Sequence, residues 1–352
     1  MLCNDDTMSS IIKSGREFKQ VYEKIRDLLT EARSTAWQAI NTAMVTAYWN
    51  IGKIIIEHEQ HGKKRAQYGA ALVQALSKKL SRDFGEGYSA RNLWFMRNFY
   101  LAYPIVNALR SQLSWTHYRL LLRVENPQAR AFYEAEAVNA RWSTRQLERQ
   151  IDSLLFERIA LSRDKTGVRA LAEKGHEISN PTDLIKDPYV LEFTGIHQES
   201  HFLESDLENA LIEKLQQFLL ELGKGFAFMG RQQSIVIDGQ YFFIDLVFYN
   251  RLIRCFVLIE LKVGKLTHHD LGQMQMYVNY YQREIMRKGE NPPIGIILCT
   301  DKSEAVVRYT LPEGNKQIFA SKYKLYLPTE DELKKELQQE RQLLEIKQKL
   351  LK

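Results

Sequence analysis

Apolar positions recur at helical spacing from Phe18 to about Ala160, and from Gln233 onward they recur in strand-like runs, so the chain changes architecture part-way along. The first stretch predicts a helix from about Glu17 to Ile56 with a break near Ala36, then one from Tyr68 to Phe84, where Leu72, Leu76 and Leu80 fall on one face. Gly85-Glu86-Gly87 ends that helix, and Ser89 is placed to cap the next, Ala90 to Leu101. A similar unit follows: Gln128 to Val138, a turn at Asn139-Ala140-Arg141, and a capping box at Ser143 to Gln146 opening a helix to about Arg158. Both read as helix-turn-helix-like units. In Leu113 to Arg119, Trp115 and Tyr118 are expected to anchor a helical core while His117 makes a buried hydrogen bond.

Residues 161–200 break this periodicity with Pro181, Pro188 and clustered polar residues, and are expected to be a linker. After them the spacing predicts a helix over Leu203 to Leu222, strands at Gln233 to Ile237 and Tyr241 to Tyr249 around an Asp238-Gly239 turn, and a strand from Arg254 to Leu261. A helix from about His268 to Lys288 and an apolar strand from Ile294 to Cys299 complete an αβββαβ order. The expected architecture is therefore α+β in two domains: residues 17–160 all-helical, 201–330 mixed, and a charged helix over 331–352 that docks on the body, a partner or a second copy.

With 352 residues, 45% of them hydrophobic and 26% charged, the chain has an ordinary soluble composition, which excludes fibrous and wholly disordered classes. No apolar run is long enough to span a membrane, and the start MLCNDDTMSS lacks a basic and an apolar region, so a cytoplasmic location is expected. Cys3, Cys255 and Cys299 have neither disulfide nor zinc spacing; the last two read as small core residues. The net charge of +6 is unevenly spread: residues 1–150 carry 22 Lys and Arg against 14 Asp and Glu, and residues 151–352 carry 27 against 29. The basic excess thus lies with the helices, where Arg91, Asn92, Arg97 and Arg145 are of the types that pair with bases and phosphates. DNA is the expected partner, with RNA also open.

The chemistry concentrates in two apolar strands interrupted by charge: Asp245 in one, Glu260-Leu261-Lys262 in the next. Alternation puts Glu260 and Lys262 on one face, and hairpin pairing can bring Asp245 beside Glu260. Two carboxylates forced together in an apolar sheet repel unless a cation lies between them, and hard oxygen donors suit Mg²⁺ or Mn²⁺. Glu208 lies on the apolar stripe of the preceding helix and so points a third acid at the sheet. His269, Gln273 and Tyr277 share one face of the following helix.

Asp245, Glu260-x-Lys262 and Gln273-x-x-x-Tyr277 in this order resemble the PD-(D/E)XK nuclease superfamily, in its RecB-like branch with the QxxxY signature. More narrowly, AYWNIGK, RAQYG, LSWTHY and RWSTRQL, followed by IDLVFYNRLIRCFVLIELKVG and GQMQMYVNYY, resemble the YhcG-type family of bacterial nucleases over nearly all of residues 18–330. Ile244 stands where the motif's proline would be, which removes no ligand. The resemblance implies metal binding by Asp245, Glu260 and, as an accessory, Glu208, with the Leu261 carbonyl as a further donor. It implies that Lys262 positions the attacking water and that Gln273 and Tyr277 orient the site, while Lys265, His268 and His269 meet the nucleic-acid backbone. The expected activity is Mg²⁺- or Mn²⁺-dependent hydrolysis of DNA phosphodiesters in recombination, repair or restriction-like defence. The alternative is a nucleic-acid-binding or assembly module whose cutting is weak or partner-dependent.

Overall fold

The computed structural model describes residues 15–61, 65–106, 109–160, 165–197, 201–329, 331–333 and 335, and it divides into two compact units, residues 1–125 and 126–352. The expected C-terminal helix lies mostly outside the described residues; Leu333, within them, is buried.

The first unit is all-helical: α1 (Gly15–His61), α2 (Arg65–Phe84), α3 (Ala90–Ala102) and α4 (Trp115–Leu121). The expected break near Ala36 is absent, because neither glycine nor proline interrupts α1 there and its hydrogen bonds continue for 47 residues. Its C-terminal part enters the core, where Ile55 meets Val73 of α2 and Leu93 and Met96 of α3. Gly52 permits this approach: a Cβ there would lie 2.0 Å from the Met96 carbonyl oxygen. Gly85 (φ +90°) ends α2, and the Ser89 hydroxyl accepts from Asn92 N at the start of α3. Phe99, Tyr103, Trp115 and Tyr118 form an aromatic cluster, and His117, buried, accepts from Ser114 N through Nδ1.

The second unit opens with α5 (Pro127–Asn139), α6 (Thr144–Asp152), α7 (Leu155–Ala160) and α8 (Lys165–Lys174). The expected helix from Ser143 to Arg158 is split where Leu154 takes φ +53°. The stretch expected as a linker contains α8 and a strand, β1 (Tyr189–Val190), that pairs in parallel with the last strand of the sheet. The helix expected over Leu203 to Leu222 is two helices, α9 (Glu204–Glu213) and α10 (Leu215–Leu222), separated at Lys214.

β2 (Phe226–Ile237), β3 (Gln240–Asn250) and β4 (Cys255–Lys265) form an antiparallel meander; its first turn carries Asp238 and Gly239 at positive φ, the requirement for a two-residue hairpin. After α11 (His268–Tyr280) come β5 (Ile294–Asp301), α12 (Glu304–Thr310) and β6 (Ile318–Lys324). The sheet order is β1-β6-β5-β4-β3-β2, with β4, β5 and β6 parallel. One face packs Leu246, Phe248, Ile259, Leu261 and Leu298 against Leu207, Leu211, Phe218 and Leu222 of α9 and α10. The other packs Val247, Leu258, Ile297 and Cys299 against Leu271, Met274, Tyr277 and Val278 of α11. Cys255 and Cys299 are buried free thiols, as the sequence predicts.

A buried charge network fastens the helices before the sheet to it. Glu221 at the end of α10, fully buried, accepts from Arg158 (2.5 Å), Arg149 (3.2 Å) and Val190 N (3.0 Å), and its backbone oxygen accepts from Lys186 Nζ. Burial alone would raise the Glu221 pKa, but Arg158, Lys186 and Arg149 hold it down at about 2.

Candidate active site

Strands β3 and β4 pair as far as Leu246↔Ile259 and then separate, so that Asp245 and Glu260 face each other where the ladder ends. Their side chains take over the backbone groups the ladder leaves free: Asp245 N donates to Glu260 Oε1 (3.3 Å) and Leu261 N donates to Asp245 Oδ2 (2.8 Å). The splayed end is therefore held open by two carboxylates. Glu208, from α9, is buried and joins them through Gln232, whose side-chain amide donates both to Glu208 Oε2 and to Asp245 Oδ1 (3.0 Å). Gln232 sits opposite Asp245 between the pairs Arg231↔Leu246 and Gln233↔Ile244, with φ +46°.

Lys262 is half-buried two residues beyond Glu260, with Nζ 3.5 Å from Glu204 Oε2 of α9 and 3.9 Å from Asp270 Oδ1 of α11. Asp270 also caps α11, accepting from Thr267 N and Oγ1. Glu204 takes the N–H of Val263 beside Lys262 (3.2 Å). Gln273 donates to the Tyr277 hydroxyl, which is buried and donates to the Phe243 carbonyl (3.0 Å). The Gln273–Tyr277 pair thus fixes β3 two residues before Asp245.

The electrostatics follow from burial. Desolvation, reinforced by Asp245, pushes the Glu260 carboxyl up to about 8, and desolvation likewise raises Asp245, with Glu208 adding to it. Desolvation works against the Lys262 charge, but Glu204, Glu260, Asp270 and Asp245 outweigh it and raise its pKa, so this lysine is a cation at neutral pH. Among the described residues no three of His, Cys, Asp and Glu converge tightly enough to hold a metal ion by themselves. The donor set nevertheless fits a hard divalent cation: two buried carboxylates and a third partly buried one, with a side-chain N–H₂ group between two of them where positive charge is wanted.

The structure thus brings together Asp245, Glu260, Glu208 and Lys262, and places Gln273 and Tyr277 behind β3. Gln232, Glu204 and Asp270 join the site without having been singled out in the sequence; only Asp270 carries a local signal, the Thr267-x-x-Asp270 capping box. Lys265 at the end of β4, and His268 and His269 in the first turn of α11, are exposed. Arg145 is exposed in the first turn of α6. Arg91 is exposed on α3 over the Phe95 ring, and Asn92 donates to Gly87 O within its own turn. Arg97 is engaged elsewhere: it pairs with buried Glu59 at 2.8 Å and stacks on Trp94.

A helix with an inward acid, a three-strand meander carrying Asp245 and Glu260-Leu261-Lys262, and a helix bearing Gln273 and Tyr277 define the class of PD-(D/E)XK nucleases. Residues 182–339 match the family model described as the YhcG PDDEXK nuclease domain, and residues 24–158 match the DUF1016 N-terminal domain. The chain is 38% identical over 360 residues to a protein of Escherichia coli K12 described as "Putative nuclease YhcG", covering 93% of this chain and 96% of that one. The chain belongs to the YhcG family of PD-(D/E)XK nucleases. Among solved structures it is similar to a repair endonuclease from Pyrococcus abyssi (20% identity, TM-score 0.26, 38% of this chain and 50% of that one). EndoMS bound to double-stranded DNA gives 18% identity and a TM-score of 0.26 over 38% of this chain and 49% of that one. The chain spans about half the length of these two structures. No helix among the described residues is long and apolar enough to cross a membrane.

Proposed function

We propose that this protein is a divalent-metal-dependent nuclease that hydrolyses DNA phosphodiesters, with Asp245 and Glu260 as metal ligands, Glu208 as an accessory ligand and Lys262 as the cation beside the reacting phosphate. The observation that carries this reading is the splayed end of β3 and β4, where Asp245 and Glu260 cross-link the strands through their own carboxylates beside a charged lysine. A Mg²⁺ or Mn²⁺ ion held there would polarise the scissile phosphate and lower the pKa of a bound water. Lys262, whose charge the neighbouring acids favour, Glu204 foremost, would orient the attacking water and offset charge developing on phosphate oxygens; its raised pKa argues against a role as general base. Tyr277 and Gln273 hold Asp245 in position through Phe243.

The basic excess of residues 1–150 supports duplex binding by the helical region, with Arg91, Asn92 and Arg145 as contacts there and Lys265 and His269 beside the nuclease site. A bacterial cytoplasm and a role in recombination, repair or restriction-like defence suit such an enzyme. The test is incubation of the purified chain with supercoiled, linear, branched and single-stranded DNA and with RNA, with and without Mg²⁺ or Mn²⁺. DNA cleavage that requires metal and stops with chelator is expected. Undiminished cleavage in EDTA overturns the metal assignment, preference for RNA overturns the substrate, and no cleavage of any substrate favours a binding or assembly module.

A further inference from the structure

The N-terminal half of α1 carries an apolar stripe that no other described residue of the first unit covers. From Phe18 to Ile40 every residue is exposed except half-buried Glu23; the first buried residue is Val45. Phe18, Val21, Tyr22, Ile25, Leu28 and Leu29 each expose between 51% and 67% of their surface. Their spacing is a heptad: Phe18, Ile25, Ala32 and Ala39 in one row, Val21, Leu28 and Thr35 in the second. An isolated helix with this stripe in water would be marginal, since helices draw their stability mainly from packing an amphipathic face.

We propose that this stripe is a self-association surface on which a second copy of the chain packs its own α1 in antiparallel orientation, forming a two-fold dimer. The argument is self-complementarity. In the antiparallel register Ile25 meets Leu28 of the other copy, Val21 meets Ala32 and Phe18 meets Thr35, so large side chains at the ends face small ones. The parallel register would instead stack Ala32 on Ala32 and Ala39 on Ala39, leaving voids, and Phe18 on Phe18. Charge agrees with the antiparallel register. Lys24 and Glu31 flank the stripe in a third row, both are exposed, neither has an ion-pair partner among the described residues, and the register places each against the other's counterpart. The area is of the right order: Phe18, Val21, Tyr22, Ile25, Leu28 and Leu29, at these exposures and with the alanines between them, present on the order of 700 Å² per copy, against about 800 Å² that each partner contributes to a standard stable interface.

Sedimentation velocity of the full chain at micromolar concentration tests this, and its readout is independent of any cleavage. A species of twice the 41.2 kDa chain mass is expected. I25K/L28K should be a monomer with an unchanged helical circular-dichroism melt, because both positions are exposed and remote from the Ile55, Val73 and Leu93 core. K24E should weaken the dimer severalfold at low salt, and K24E/E31K should restore it. A full chain that stays monomeric, or an I25K/L28K variant that stays dimeric, overturns the surface. A K24E/E31K variant no tighter than K24E overturns the antiparallel register.

Discussion

The backbone N–H of Asp245 is bonded to the carboxylate of Glu260, the residue facing it on the neighbouring strand, at the point where ordinary strand pairing stops. One buried carboxylate serves as the acceptor that a backbone carbonyl would otherwise supply, and Asp245 does the same for Leu261 N at 2.8 Å. Each acid therefore has a structural role in the metal-free protein. Each also carries an electrostatic cost, because burial and mutual repulsion disfavour ionising both.

That cost predicts a pH-dependent stability with a definite sign. Glu260 has its folded pKa raised to about 8 from an ordinary carboxylate value, so the folded state holds a proton that the unfolded state releases. The resulting stabilisation is complete below the ordinary value and is lost as pH rises through about 8. Glu221, held down at about 2, contributes a constant amount across this range, and Lys186, lowered to about 8, acts in the opposite sense only from there upward. Denaturant melts of metal-free protein from pH 5 to 7.5 should therefore show declining stability. The Glu260→Gln variant, whose amide oxygen still accepts from Asp245 N, should show a flatter profile and be at least as stable at pH 7.5. The same variant should lose about two to four orders of magnitude in cleavage. An identical slope in parent and variant would remove Glu260 as the cause.

Tyr277→Phe keeps the buried ring and deletes only the hydroxyl that donates to the Phe243 carbonyl. It should cost about 1–2 kcal/mol of stability, the penalty for leaving a buried acceptor unpaired. Cleavage should fall while DNA affinity stays within a fewfold of the parent, since the group positions β3 and lies behind Asp245. Parental cleavage rates in a destabilised variant would confine Tyr277 to a purely structural role.

Asp245, Glu260, Lys262 and Glu208 were legible in the sequence because each contradicts its local pattern: a charge in an apolar strand, or an acid on an apolar helical stripe. The aligned Gln273 and Tyr277 were legible through helical spacing. Gln232 was not, because its place between Glu208 and Asp245 depends on positive φ and on partners 24 and 13 residues away along the chain. Glu204 looks like any acid in a first helical turn until β4 delivers Lys262 to it. β1 was missed because two residues carry no periodicity and its partner is 134 residues away at Tyr323. The splits at Lys214 and Leu154 have no glycine or proline to announce them, and Leu154 adopts φ +53° despite a side chain that disfavours it.

The basic residues of α3 should divide by what they already hold. Arg97 neutralises Glu59, which is 8% exposed, so Arg97→Glu sets two acids together and should lower thermal stability of the first unit along with any DNA binding. Arg91 is exposed and only overlies Phe95, so Arg91→Glu should leave the melt unchanged within about 0.5 kcal/mol. If α3 meets DNA, Arg91→Glu also weakens duplex affinity and reduces its salt slope. Binding by the Arg91→Glu protein at parental affinity and salt slope would place the DNA contact away from α3.

Lys262 separates a catalytic cation from a structural ion pair. Its ammonium lies 3.5 Å from Glu204, which is partly exposed, and 3.9 Å from Asp270, distances long for ion pairs, so these pairs add little to stability. Both partners keep other bonds when it is removed: Glu204 still accepts from Val263 N, and Asp270 still caps α11. Lys262→Ala should therefore melt within about 1 kcal/mol of the parent. It should also bind metal and DNA nearly as well, yet cut about two to four orders of magnitude more slowly, because a charge on the developing phosphate oxyanion counts only in the transition state. Glu204→Gln is the matched control: it removes the neighbouring carboxylate and leaves the lysine, so its cleavage should fall far less. Calorimetry, DNA binding and single-turnover rates on the two variants decide the matter. A Lys262→Ala protein that stays folded and cuts at the parental rate would exclude the catalytic role, and one whose melt collapses would show that this lysine is needed by the fold.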